Sequence, residues 1–161
     1  MNIRTLGKTG YAVSEIGLGL WQLGGDFGPV GEETATEILK TARSLDVNFW
    51  DTADVYGAGL SESRVGAFKD KKGVFIATKL GRGPQFEGMT RYTKARVKES
   101  LAGSIERLGV ETLDLAQEVV RREPTLPQLV WEGVRRGRKV DTRVHEFTEQ
   151  RKAAAQFAPD L

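Results

Sequence analysis

Three ionisable side chains in this sequence could together deliver a proton: Asp51 and Tyr56 in Asp51-Thr52-Ala53-Asp54-Val55-Tyr56-Gly57, and Lys79 at the end of an apolar run. A free tyrosine has a pKa of about 10 and gives up its proton at neutral pH only where positive charge favours the phenolate. Lys79 supplies such a charge if it lies beside Tyr56. A carboxylate at Asp51 would keep the lysine protonated in a site whose desolvation otherwise favours the neutral amine. Arranged that way, the trio is a general acid. The competing reading is scaffolding, in which a buried Asp-Lys pair under a tyrosine lid only joins two strands.

For the trio to meet, the segments that carry it must end on one face. Residues 1–14 alternate apolar and polar around Gly7-Lys8-Thr9-Gly10, which predicts a β-hairpin. A short strand is expected over Ile16 to Leu20, and Gly24, Gly25 and Gly28 then mark a loop. Their spacing lacks the full dinucleotide fingerprint and reads as a loop rather than a phosphate cradle. Ala35, Ile38, Leu39, Ala42 and Leu45 recur at helical spacing over Glu32 to Leu45. Asn48 to Asp51 is the second strand. Ser61 is a candidate N-cap for a helix reaching Phe68. Val74 to Lys79 reads as a buried strand, Thr93 to Leu108 as a helix closed by Gly109, and Leu113 to Gln117 as the fourth strand. Strands alternating with helices predict βα units and a parallel sheet, whose C-terminal strand ends lie together.

The pattern Asp-Thr-Ala-x-x-Tyr-Gly-x-Gly-x-Ser-Glu over residues 51–62, with Ala77-Thr78-Lys79 closing the next strand, resembles the aldo/keto reductase family. Leu18-Gly19-Leu20-Trp21-Gln22-Leu23-Gly24, the stretch from Ser100 to Gly109, and Leu113-Asp114-Leu115 extend the resemblance over residues 1–117. It implies an α/β fold, part of a (β/α)8 TIM barrel with about four βα units and an N-terminal β-hairpin. It also implies hydride transfer between NADPH and a small carbonyl substrate. On the same grounds Tyr56 is the catalytic proton donor, Lys79 tunes it and Asp51 holds Lys79. Leu20, Trp21 and Asp51 are implied as cofactor contacts. Trp21 has a second reading, as an apolar plug over the barrel mouth.

Beyond Gln117 the pattern departs. The family's strand continues Leu-His after the glutamine, whereas in this chain Glu118 and Val119 follow. Glu118 is one residue out of register to replace that histidine, and period-two alternation would turn it to the other face. A complete barrel of this kind takes about 250 residues, more than the 161 of this chain. The stretch 118–161 has only Gly133 and Gly137 of the nineteen glycines and is rich in arginine. It reads as a separate, helical C-terminal tail, with helices over Leu126 to Val134 and Thr142 to Phe157, and His145 on the second. Open edges at the first and fourth strands predict a homo-oligomer. Two functions follow: a reductase, or an inactive fragment that pairs with itself or with a full-length reductase.

Composition narrows the classes. With 39% hydrophobic and 29% charged residues the chain is of globular type. No cysteine and one histidine leave no metal site to expect. There is no signal-like apolar core near the start and no run long enough for a membrane span, so a cytoplasmic protein with no membrane partner is expected. The small positive excess falls in 118–161, at Arg121-Arg122 and Arg135-Arg136-Gly137-Arg138-Lys139. Without interleaved aromatics it argues for a solvated surface and against nucleic acid.

Overall fold

The computed structural model describes residues 1–83 and 93–117 in full, and the backbone of residues 118, 129–135 and 143–146. β1 (Ile3–Thr5) and β2 (Ala12–Ser14) form the expected antiparallel hairpin. It lies across the starting ends of the main strands, where the Tyr11 ring stacks on Phe75 at 4.7 Å. The Tyr11 hydroxyl also donates to the Asp114 carbonyl. Leu6 and Phe49 pack there against buried Ala77 and Leu115.

The main sheet runs in the order β3 (Leu18–Gly19), β4 (Phe49–Asp51), β5 (Phe75–Leu80), β6 (Thr112–Glu118), β7 (Leu129–Arg135), β8 (Arg143–Glu146). The first four strands are parallel. The crossovers are α1 (Glu32–Ser44), α2 (Leu60–Ala67) and α3 (Lys94–Leu108). Trp50, Ile76, Leu80 and Leu113 meet Leu39, Val65, Leu101 and Ile105 of the helices in one core. This is the βα arrangement of part of a barrel.

α3 ends at Gly109 as its sequence predicts, and Thr93 caps its start. The Thr93 hydroxyl accepts the Arg96 amide, and Gly109 ends the helix in the left-handed conformation. α1 carries Glu32 and Glu33 against its positive end and buries Ala35, Leu39 and Ala42. Ile38 and Leu45 do not join that face; both are exposed, Ile38 at the margin of the stripe and Leu45 beyond the last turn. α2 starts two residues earlier than Ser61 as an N-cap would place it. Gly59, at φ 93, turns the chain into the helix, so Ser61 lies within the first turn and is buried.

The stretch after Gln117 is corrected more substantially. In place of the expected helices, residues 129–135 and 143–146 are strands, and β7 pairs antiparallel with β6, Thr112 opposite Arg135 and Gln117 opposite Val130. Val130 and Trp131 suit a pleated strand, and the free edge of β6 offers unpaired backbone groups to complete. The fourth strand is therefore not an open edge. The rest of the expected tail helix, from Phe147 on, lies outside the described residues. Among the described residues no helix is long and apolar enough to cross a membrane.

α2 and α3 approach closely at Gly66, where an added Cβ would lie 1.9 Å from the Arg107 carbonyl oxygen. Both partners are backbone, so the helices must separate to admit a methyl group. Gly66→Ala is therefore expected to lower stability by about 1–3 kcal/mol, although alanine is the better helix former by about 1 kcal/mol. Urea denaturation checks this; an unchanged or raised midpoint would show that the helices accommodate the methyl group.

Candidate active site

Pairing places the trio. Asp51 at the end of β4 lies opposite Ala77 of β5, and β5 continues two residues further to Lys79. Side chains alternate along a strand, so Asp51, Ala77 and Lys79 share one face. Trp50, Ile76 and Leu80 on the other face anchor both strands in the core. The Lys79 stem spans the remaining gap, and Lys79 Nζ stands 2.6 Å from Asp51 Oδ2.

The same nitrogen donates to the Thr52 carbonyl at 2.9 Å and to the Tyr56 hydroxyl oxygen at 3.2 Å. An ammonium has three protons, and three acceptors surround this one. Because the Tyr56 oxygen accepts from Lys79, its own proton is left to be donated outward. Side-chain exposure is 18% for Lys79 and 35% for Asp51, so the pair is partly withdrawn from water while its outer side stays accessible.

Tyr56 is held by its loop. Its amide donates to the Ala53 carbonyl, and its own carbonyl accepts the Ser61 amide at the start of α2. The Ser61 hydroxyl in turn donates to the Leu20 carbonyl and lies 2.9 Å from the Thr52 hydroxyl, joining the ends of β3 and β4. Gly24 meets this loop backbone to backbone: a Cβ there would lie 2.6 Å from both the Tyr56 carbonyl carbon and the Gly57 nitrogen. Gly24 therefore seats Tyr56, a role that its spacing with Gly25 and Gly28 does not reveal.

Trp21 belongs to a turn of 3-10 helix, Trp21–Gly24, directly after β3. Its ring stacks on Tyr56 at 5.7 Å and meets Phe27 edge to face at 4.6 Å, and its indole N–H donates to Asp26. With 47% exposure it forms an open wall beside Tyr56. Leu20 is placed differently from the expectation. Its side chain is 1% exposed and lies in the helix-facing core, so only its backbone reaches the mouth.

Behind the trio lies a polar layer. Glu62, wholly buried, accepts from Thr78 and from Arg107 of α3. Asp54 accepts the Ser100 hydroxyl at 3.0 Å, and its amide donates to the Lys79 carbonyl. Burial pushes the Asp54 carboxyl up to about 6, against the Ser100 hydrogen bond, which draws it down. A cavity of about 230 Å³ opens here, lined by Asp54, Tyr56, Lys79, Leu80, Arg82 and Gln117 among others. Val119, at the family's histidine position, lies outside the described residues, and the β7–β8 pairing sets His145 opposite Val130. Among the described residues no group of side chains is arranged to hold a metal.

The fold and the site define part of a β/α barrel with its polar groups at the C-terminal strand ends. Residues 15–129 match the model of the aldo/keto reductase family, and the chain belongs to that family of oxidoreductases. It is 38% identical over 120 residues to L-galactose dehydrogenase of Arabidopsis thaliana, a match covering 71% of this chain and 37% of that enzyme. It is 33% identical to an aldo-keto reductase from Bacillus halodurans in its holo form, with a TM-score of 0.62 over 73% of this chain and 40% of the other. An aldo-keto reductase from Klebsiella pneumoniae in complex with NADPH is 26% identical, with a TM-score of 0.51 over 64% and 34%. The chain thus spans well under half the length of these relatives.

The raised Asp54 value has a consequence for stability. The folded protein holds this proton more tightly than the unfolded chain, so the stability it contributes is complete below pH about 4, declines towards pH about 6 and is gone above it. Asp54→Asn cannot ionise and escapes that loss. Relative to the parent, its thermal midpoint is expected to rise by a few degrees as pH climbs from about 4.5 to about 7. Scanning calorimetry across that range tests this, and a difference that does not vary with pH would contradict it.

Proposed function

We propose that the protein reduces a small aldehyde or ketone with NADPH, Tyr56 giving the proton to the carbonyl oxygen. The observation that carries this reading is the triple donation by Lys79, which leaves the Tyr56 proton directed away from its own network. As the oxygen of the substrate gains electron density, Tyr56 donates to it, and Lys79 stabilises the phenolate that results. Asp51 keeps the ammonium in place and balances its charge. The mouth fits the reacting end of a nicotinamide: Trp21 offers an open ring face beside Tyr56, and Asp51 keeps part of its carboxylate exposed. Bound there, the reduced nicotinamide would supply the hydride. A similar structure holds NADPH, which supports that choice of cofactor.

A second reading is favoured by the edge of β6. β7 takes it in antiparallel sense, where a barrel would place its next parallel strand. On this reading the chain is an inactive fragment that associates with itself or with a full-length reductase. Titration with NADPH separates the two. Quenching of tryptophan fluorescence that disappears in Trp21→Phe supports the reductase, and no response at any cofactor concentration supports the fragment.

Catalysis is tested with NADPH and para-nitrobenzaldehyde. Tyr56→Phe is expected to lower the rate by at least about a hundredfold, the scale of a general acid in place. A rate that persists in that variant would remove Tyr56 from the role.

A further inference from the structure

The cavity of about 230 Å³ beside Tyr56 is lined by two polar side chains that the proton-delivery scheme does not use, Arg82 and Gln117. The strands that position Lys79 bring both of them there. Gln117 of β6 is registered opposite Lys79 of β5, so the two share a face of the sheet. Arg82 follows just after β5 ends at Leu80, where the chain bends at Gly81 with φ 104. Among the described residues Arg82 takes part in no ion pair or hydrogen bond, whereas Lys79 is matched by Asp51, Arg107 by Glu62 and Arg64 by Glu32. The half-buried Gln117 amide has no hydrogen-bond partner among them either.

The carboxylates nearby are already committed. Asp51 holds Lys79, and wholly buried Glu62 is taken by Thr78 and Arg107. Asp54 turns Oδ2 to Ser100, its Oδ1 is buried, and burial holds its carboxyl up at about 6. What stays open to a ligand is a set of donors: the Tyr56 hydroxyl, whose oxygen accepts from Lys79, the exposed Arg82 guanidinium and the Gln117 amide. Such a lining calls for acceptors. A guanidinium matches a carboxylate in charge and in shape, through parallel N–H donors. A cationic ligand would face Lys79 and Arg82, and an uncharged one would leave the Arg82 charge unanswered. The volume admits a chain of several heavy atoms, with a carbonyl at Tyr56 and a carboxylate a few bonds away.

We propose that the site takes carbonyl compounds that carry a carboxylate, held by the Arg82 guanidinium with the Gln117 amide as a second donor, while Tyr56 serves the carbonyl oxygen. This rests on the reductase reading above and adds the substrate class. Arg82 is then a specificity-determining residue. It holds a part of the substrate that does not react, so its contribution falls on binding more than on the chemical step. Because Arg82 is exposed, the gain is that of a partly solvated ion pair and weakens as salt is raised.

Succinic semialdehyde and its methyl ester test the proposal, since their aldehyde ends are alike and only the acid is charged. With NADPH, the ratio of kcat/KM for the acid to that for the ester is expected to favour the acid in the parent. In Arg82→Gln it should fall about fivefold, mainly through KM for the acid. Arg82→Lys keeps the charge without the fork and should retain part of the preference, and Gln117→Leu should lower the ratio by a smaller amount. A ratio unchanged in Arg82→Gln would overturn the proposal, because a structural role lowers both rates alike. Reduction of para-nitrobenzaldehyde by a parent that does not prefer the acid also overturns it. If the parent reduces none of these aldehydes, the reductase reading fails separately, and saturation-transfer NMR with the acid and its ester takes over. Stronger transfer to the acid in the parent, lost in Arg82→Gln, supports the Arg82 site; equal transfer in the parent overturns it.

Discussion

The geometry of the mouth depends on the three protons of one ammonium. Lys79 is mostly withdrawn from water, and a cation there is tolerated only if its lost hydration is replaced. Asp51, the Thr52 carbonyl and the Tyr56 hydroxyl replace it completely. Each acceptor comes from a different feature: the end of β4, the turn that follows it, and the loop before α2. Removing one would leave a proton of a half-buried cation unpaired, so strand register, turn and loop constrain one another. The orientation of the Tyr56 hydroxyl is a result of that constraint.

The layer behind the trio makes the constraint rigid. Arg107 reaches from α3 to the buried Glu62 carboxylate of α2, and Thr78 of β5 meets the other oxygen of Glu62. Such a network contributes mainly when every member is satisfied. The strand carrying Lys79 and both flanking helices share it. The glycines at 59, 66 and 103 leave the space that Arg107 occupies, so the close approach of α2 and α3 and the burial of a charge are one arrangement. Asp54 is the member of this region left incompletely paired, its Oδ1 buried without a partner.

Much of this is legible in the sequence, for physical reasons that also mark the limits. The hairpin, the parallel strands and the three helices follow from local periodicity and caps, and the period of two puts Asp51 and Lys79 on one face once the strands are paired. The roles of Gly24 and Asp54 are not legible. Gly24 matters through a backbone 32 residues away, and Asp54 is buried by Ser100, 46 residues on. Ser61 resembles a cap because serine is a good one, but the left-handed Gly59 starts the helix first. The spacing of Leu126, Leu129, Val130 and Val134 suits a helix, yet the unpaired edge of β6 selects a strand, a choice made by tertiary context rather than by propensity. Leu20 shows the limit of resemblance: the position lies at the mouth, and its side chain lies in the core.

The central claim is that Asp51, Lys79 and Tyr56 act as one proton-delivering unit. A double-mutant cycle on NADPH-dependent carbonyl reduction, with Asp51→Asn, Tyr56→Phe and the two combined, tests it most directly. The account predicts that each single variant loses most of the rate and that the double variant is no slower than Tyr56→Phe alone. Losses that add independently in the double variant would contradict it.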